Sequence, residues 1–396
     1  MSSDLDSIKQ RAAAEIERNR RLCVDLSHRI HANPELGHEE VQAARWLSEL
    51  LADAGLNVES GICDLPTAFS ARQGSGQLHI ALCAEYDALP AIGHACGHNM
   101  IAAAAVGAAL GLRAVVDDLD LTVSVIGTPA EEVITRGGKI LLLERGAFDG
   151  VHAAMMAHPT PFEAVAPTII AATGFEVSYV GREAHASAAP EAGINAADAA
   201  VIAQVAIGLL RQHLPQTARV HGIVDKAGEA PNVIPAHARA RYMVRAPRIA
   251  ELRDLQTRVL KCFEAGAVAT GATLNVVGGE RPYAEVTHDP LLTALYERNA
   301  GALGREFSDG DPDFAHFQAS TDMGNVSAVI PSIHPFFGLG TWPVVNHQPE
   351  FASFCATPAA DDALIAAATS LAWTAIDAAG EDSVRKALLA RPAPAA

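Results

Sequence analysis

Apolar and polar residues alternate along this chain with two different periods, and the places where the period changes divide it into elements. From Leu5 to about Ala32 charged and apolar residues recur at helical spacing, and a second helix is predicted from Glu39 to Ala54, stopped by Gly55. Short β-type runs follow at Ala68 to Arg72 and Leu78 to Ala84. The second of these, Leu-His-Ile-Ala-Leu-Cys-Ala, is almost continuously apolar, as expected of a central parallel strand covered on both faces. A buried helix over Met100 to Leu112, a strand over Leu121 to Gly127, a helix around Gly138 to Arg145 and a strand over Val151 to Ala157 continue the alternation. Strands alternating with helices predict an α/β catalytic domain with a mixed, largely parallel sheet covered by helices. Ligands bind beyond the carboxyl ends of such strands, where this chain carries Asp87, the pair Glu131 and Glu132, and His158.

From about Ala171 the pattern changes. Gly174 to Val180, Arg219 to Asp225, Ala236 to Arg245 and Ala272 to Val277 read as strands, and Ile194 to His213 and Ile249 to Ala267 as helices. The order β-α-β-β-α-β is the ferredoxin-like plan, so an inserted lid or dimerisation domain is expected over residues 172–284, with 1–171 and 285–396 forming the catalytic domain. Two domains suit a chain of 396 residues, because a single core stops growing near ~250–300 residues. There is no internal repeat, and the closing stretch from Arg391 reads as a disordered tail.

Hydrophobic residues at 49% and charged residues at 19% describe a globular chain. A net charge of −17 argues against nucleic-acid and anionic-membrane partners, both of which need a basic face. The longest apolar run, Met100 to Leu112, is thirteen residues, short of the ~20 that span a bilayer. The first residues lack the basic start and apolar stretch of a signal peptide, which predicts a cytoplasmic protein. The six cysteines form no CxxC pair and read as free thiols.

Between Glu85 and Met100 two acids, two histidines and a cysteine lie between an apolar strand and an apolar helix. Such groups are costly to bury unless paired or bound to metal. Thiolate and imidazole at Cys96 and His98 suit zinc or a similar divalent ion, although a buried cysteine beside a helix-capping histidine would look the same. Glu131 and Glu132 are either a solvated acidic pair or the two carboxylates a hydrolytic metal site needs, one on the metal and one free to take a proton from water. His158 and His347 are loop histidines that become ligand candidates by position. One thiolate, three imidazoles and one carboxylate, with Glu131 left as base, exceed the needs of one tetrahedral ion. They fit two metals about 3.5–4 Å apart.

The motifs Glu-Tyr-Asp-Ala-Leu-Pro, His-Ala-Cys-Gly-His-Asn, Gly-Thr-Pro-Ala-Glu-Glu, Gly-Arg-Glu-Ala-His-Ala-Ser, Pro-Asn-Val-Ile-Pro, Ser-Thr-Asp-Met-Gly-Asn-Val-Ser and Asn-His-Gln-Pro-Glu-Phe, in that order, resemble the M20 metallopeptidases. The branch they resemble is that of the amidohydrolases. The resemblance implies Cys96, His98, Glu132, His158 and His347 as metal ligands for one or two divalent ions, Zn²⁺ or Mn²⁺, with Glu131 as general base. It also implies Asp87 orienting a ligand from behind, and His185 of the lid reaching the active site of the partner in a homodimer to stabilise the oxyanion. Asn232 and Arg245 would hold the substrate's carbonyl and carboxylate, and Thr321 and Asp322 are expected to shape the pocket floor. Two positions depart from the wider family: Glu85 stands where a metal-binding histidine is usual, a loss for which Cys96 would substitute, and Asn99 stands where an aspartate often follows. His94, His316 and His334 are further histidines near the motifs: His94 either supports a ligand from behind or belongs to loop structure, and His334 either lines the substrate pocket or packs in its loop.

The activity these residues imply is hydrolysis of the amide bond of an N-acyl or aromatic-acyl amino acid, or of a related small amide. A dipeptidase of the same family acting on small dipeptides is the alternative. A thiol hydrolase with Cys96 as nucleophile, activated by His98 or His94, would leave both glutamates without a task. A non-catalytic subunit would have no need of Glu131.

Overall fold

The computed structural model describes residues 2–308 and 318–391, so His316 and the last five residues lie outside the described part. The first predicted helix is two: α1 (Ser2–Arg18) and α2 (Arg20–His31) meet at Asn19. The Asn19 side chain donates to the Glu15 carbonyl at 2.8 Å, a local bond that competes with the helical ladder, and its ψ of 6° leaves the helical region. After α3 (Val41–Asp53) come β1 (Asn57–Ser60), β2 (Phe69–Gln73), β3 (Leu78–Ala84), α4 (His98–Arg113), β4 (Leu121–Gly127), α5 (Gly138–Glu144) and β5 (Ala153–Met155). With β11 (Ser332–Ile333) they form a six-stranded sheet of order β1-β2-β4-β3-β5-β11. Strand β3 runs parallel to both β4 and β5. Its Ile80 and Leu82 enter the core under α4 and α11 (Pro358–Gly380), while Ala81 and Cys83 enter the core on the other face with Leu142 and Met323. Burial on both sides is why this strand reads as one apolar run. Strand β1 carried no such signal, being four mostly exposed residues at the sheet edge.

The strand expected over Val151 to Ala157 is shorter than predicted. After Met155 the chain leaves the sheet, and β6 (His158–Thr160) pairs in parallel with β12 (Phe336–Gly338) as a separate two-stranded ribbon. Pro159, which has no N–H to donate, suits this edge position. The consequence is functional, because His158 is placed on the ribbon and no longer on the main sheet.

The second unit is built from β7 (Ala171–Val180), α6 (Ala196–Leu210), β8 (Arg219–Ala227), β9 (His237–Ala246), α7 (Ile249–Thr270) and β10 (Thr273–Gly278). Its antiparallel sheet has the order β10-β7-β9-β8, the ferredoxin-like arrangement. Along β9 burial alternates: Ala238, Ala240, Tyr242 and Val244 pack under the two helices with Leu252, Leu255 and Phe263, whereas Arg239, Arg241 and Arg245 lie on the opposite face.

The chain returns through α8 (Pro290–Ala302), α9 (Met323–Ser327), β11, β12, α10 (Pro349–Phe354), α11 and α12 (Asp382–Leu389). Helix α11 is long and apolar enough to cross a bilayer by length and composition, but it packs against α1, α4 and α8 and is mostly buried.

Candidate metal centre and its cavity

Loops at the carboxyl ends of the catalytic-sheet strands meet the β6–β12 ribbon. Gly97, just before α4, has φ +75°, and a Cβ there would lie 2.4 Å from Pro159 Cγ. Only glycine permits both the left-handed turn and that approach, which brings Cys96 and His98 against His158. His158 Nε2 lies 3.5 Å from Cys96 Sγ, and its Nδ1 donates to the carbonyl of Pro159 at 2.9 Å. His98, fully buried, donates from Nδ1 to Asp87 Oδ1 at 2.9 Å. That bond fixes the tautomer and leaves Nε2 as a lone-pair donor. The other oxygen of Asp87 accepts from the Glu132 backbone N–H at 2.9 Å. His347 arrives from far along the chain in a left-handed conformation, φ 68°, its N–H held by the Ala95 carbonyl at 2.8 Å. Its Nε2 lies 3.2 Å from Glu132 Oε1.

Donor atoms of Cys96, His98 and His158 lie within 4.8 Å of one another, as do those of Cys96, Glu132 and His347. Cys96 belongs to both groups. His98 Nε2 and Glu132 Oε1 are buried with no hydrogen bond, the contact of Glu132 with His347 being an ion-pair approach without hydrogen-bond alignment. Buried polar atoms are normally satisfied, and orphaned atoms grouped with a thiol and imidazoles fit two cation positions of mixed sulfur, nitrogen and oxygen donors that share Cys96. A third group, Glu85, His98 and Glu131, is less open, because Glu85 is already an ion-pair partner of Lys139.

The charges suit the same reading. Burial opposes ionisation of Cys96, but the His158 imidazole in contact with it, and those of His347 and His98 nearby, pull the thiol well below its ordinary pKa. Cys96 and Glu132, close beside it, raise the His347 imidazole to about 11. Burial, with Glu85 and Glu132 close by, pushes the Glu131 carboxyl well above the usual carboxylate range. Glu131 Oε2 stays 3.9 Å from His98 Nε2, and the Glu131 carbonyl accepts from the Tyr283 hydroxyl at 2.6 Å.

Cys96, Glu131, Glu132, His158 and His347 all line a cavity of ≈ 430 Å³. Thr321, Thr160, Arg245 and His334 also line it, with Ile170 and Phe336 as its apolar wall. Arg245 donates to Ser320 Oγ at 2.9 Å. His334 stacks on His158 at 5.5 Å between ring centroids, whereas His94 stacks on His31 and is absent from the lining. Asn99 bonds Ser27 and the Cys355 carbonyl and holds α4 in place.

Three expected positions lie elsewhere. Asp322 does not line the cavity: it is fully buried behind it and accepts from Lys139 Nζ at 2.6 Å. A carboxylate on the pocket floor would have needed solvent or a substrate cation, and the buried ammonium satisfies it instead. His185 and Asn232 stand together on the second unit, Ala186 N–H donating to the Asn232 carbonyl at 3.0 Å, and neither lines the cavity.

Lys139 was not anticipated. Its Nζ, fully buried, joins Glu85 Oε1 at 2.5 Å to Asp322. A lone lysine leading the run Ile-Leu-Leu-Leu was the available signal. Removing one member of a buried ion network leaves the others uncompensated, so Lys139→Met should destabilise the fold by about 3–5 kcal/mol. Urea unfolding measures this, and an unchanged midpoint would show that Glu85 and Asp322 do not depend on the lysine.

Comparison with known proteins places this geometry. A family model for the peptidase dimerisation domain matches residues 171–270, which hold three strands of the four-stranded sheet, β7, β8 and β9, and both of its helices. The mouse Xaa-Arg dipeptidase is 39% identical over 393 residues, covering 95% of this chain and 90% of that one. The chain belongs to the M20 family. One of the subunits of the Escherichia coli p-aminobenzoyl-glutamate hydrolase is 31% identical, covering 71% of this chain and 63% of the relative. Among solved structures, a Bacillus subtilis protein described as a dinuclear metal binding peptidase of the M20 family shares the fold with a TM-score of 0.65, at 23% identity over 91% of this chain and 98% of that one. The Klebsiella pneumoniae aminobenzoyl-glutamate utilization protein does so with a TM-score of 0.70, at 20% identity over 94% of this chain and 98% of that one. This M20 protein is therefore a hydrolase of amide or peptide bonds.

Proposed function

We propose that this M20 hydrolase cleaves the amide bond of a small N-acyl amino acid, with Glu131 as general base and two divalent cations, Zn²⁺ or Mn²⁺, held by Cys96, His98 and His158 and by Cys96, Glu132 and His347. The observation that carries the reading is a carboxylate outside both ligand groups, Glu131, buried in the same cavity as both. When bound, the cations supply Lewis acidity toward water and the scissile carbonyl. Glu131 accepts the proton of the attacking water and returns it to the leaving nitrogen. Asp87 holds the His98 tautomer and the Glu132 backbone together. Arg245, steadied by Ser320, offers a guanidinium to the substrate's carboxylate. The 39% identity to a dipeptidase favours a second reading, a dipeptide substrate, for which the same machinery serves.

Metal removal tests the proposal. Incubation with a chelator should abolish hydrolysis of at least one substrate among N-acyl amino acids, β-alanyl dipeptides, Xaa-Arg dipeptides and aminobenzoyl-glutamate, and Zn²⁺ or Mn²⁺ should restore it. Full activity in metal-free protein would reject it in favour of the Cys96 thiol route.

The same proposal makes the enzyme a homodimer in which His185 and Asn232 complete the partner's site. Support comes from their distance from the cavity lining, from β8 as an edge strand, and from exposed Val201, Val205 and Leu209 at four-residue spacing on α6. Mixing inactive His185→Ala with inactive Glu131→Gln protein and allowing subunits to exchange should recover activity, since hybrid dimers then contain one intact site. No recovery in a preparation shown to contain hybrids would place His185 outside the partner's chemistry.

A further inference from the structure

Glu40 is fully buried at the start of α3, yet its side chain caps none of that helix's backbone N–H groups. Glu35 does so instead, its carboxylate accepting from the N–H groups of Gln42 and Ala43 at 2.9 Å each. Freed from capping, Glu40 Oε1 accepts from the backbone N–H of Ala130 at 2.7 Å, and its Oε2 has no hydrogen bond. Ala130 has φ 59°, a left-handed conformation unfavourable for a residue with a Cβ, and strain of this kind persists only where the surroundings impose it.

The next two residues are Glu131 and Glu132, and the backbone of the three is pinned at three points. Ala130 N–H goes to Glu40, the Glu131 carbonyl to Tyr283, and Glu132 N–H to Asp87. Two of the three pins use groups packed beside the acids; Glu40 reaches across from the opposite loop. That loop also touches both carriers of site residues: Leu36 bridges to Ala88, and a Cβ on Gly37 would come within 3.0 Å of Ala130 Cα.

We infer that Glu40 is a positioning residue: its carboxylate holds Ala130 left-handed, and this turn sends the adjacent side chains of Glu131 and Glu132 to different tasks, one free to move a proton and one toward the Cys96 and His347 group. The inference rests on the proposed roles of Glu131 and Glu132. It acts through the backbone alone, so Glu40 has no contact with substrate.

The test compares Glu40→Asp, Glu40→Gln and Glu40→Ala, with and without Ala130→Gly, reading kcat, KM and the metal content and metal affinity of the purified protein. Aspartate keeps the charge but is one methylene too short to reach Ala130, and misplacement of about 1 Å in an active site costs up to about 100-fold. Glu40→Asp and Glu40→Ala should therefore lose about 10- to 100-fold in kcat, bind metal more weakly, and leave KM nearly unchanged. Glu40→Gln, which still offers an oxygen to Ala130, should keep most of both. Adding Ala130→Gly to Glu40→Ala should restore much of the loss, because glycine enters the left-handed region unaided. Full kcat and metal binding in Glu40→Asp would overturn the inference. So would a Glu40→Gln loss equal to that of Glu40→Asp, or no relief from Ala130→Gly. Metal affinity is read without substrate, so a failure of Glu131 as base would leave this result standing on its own.

Discussion

Replacing Glu131 by glutamine is expected to lower kcat by about 10²- to 10⁴-fold, the usual contribution of a positioned acid–base group, while the protein stays folded and retains its metal. Glutamine keeps the volume of the side chain and the backbone bond from Tyr283 to residue 131, so packing has little reason to change. It cannot accept a proton from water. Because Glu131 lies outside both groups that share Cys96, metal content should match the parent protein, which separates loss of a base from loss of a ligand. Glu132→Gln should behave differently, losing metal together with activity. The pH profile gives a second readout. A base works only when ionised, so kcat/KM should rise with pH as Glu131 loses its proton, and burial beside Glu85 and Glu132 moves that step upward from the ordinary carboxylate value. The acid limb should disappear from the residual activity of the variant. Normal turnover in a fully metallated Glu131→Gln protein would remove the general-base assignment altogether.

How far the sequence led depends on the range of the interaction that places each residue. Strands β3 and β4 were legible to the residue because each is buried on both faces, so that apolar residues dominate a run of strand length that ends in a turn or loop. The ferredoxin-like unit was legible from the order of its periods. Cys96 and His98 stood out because costly groups were concentrated beside apolar ones. His158 and His347 had only loop signals of their own, and motif order carried them. What sequence could not supply were contacts between distant loops. Lys139 reaches Glu85 and Asp322 across the core, which moved Asp322 from the expected pocket floor to the interior. Glu40 looks like one more acid before a helix, and only the fold shows that its carboxylate bonds a residue 90 positions away. The break at Asn19 has a local cause, a side chain bonding its own helix, but asparagine occurs inside helices often enough that the residue alone does not mark it.

The largest effect on metal content should come from Cys96→Ala. Every other donor in the two groups appears once, but Cys96 appears in both, so its removal takes a ligand from each position. The thiol also sets the charge of its neighbours: it is among the causes that raise the His347 and His98 imidazoles and the Glu132 carboxyl. Without it, both metal positions should empty and activity should fall by about 10³-fold or more, the scale set by withdrawing several kcal/mol of Lewis-acid stabilisation. His347→Ala, which touches one group, should leave one equivalent of metal bound. Activity alone would not separate this from a thiol nucleophile, since alanine disables that chemistry too. Cys96→Asp does separate them. A carboxylate is a competent ligand for Zn²⁺ and Mn²⁺ but cannot perform thiol chemistry, so recovery of metal and of measurable hydrolysis in Cys96→Asp would assign Cys96 to the metals. An aspartate variant that regains its metal and still shows no turnover, beside chelator-resistant activity in the parent, would assign it to the nucleophile instead.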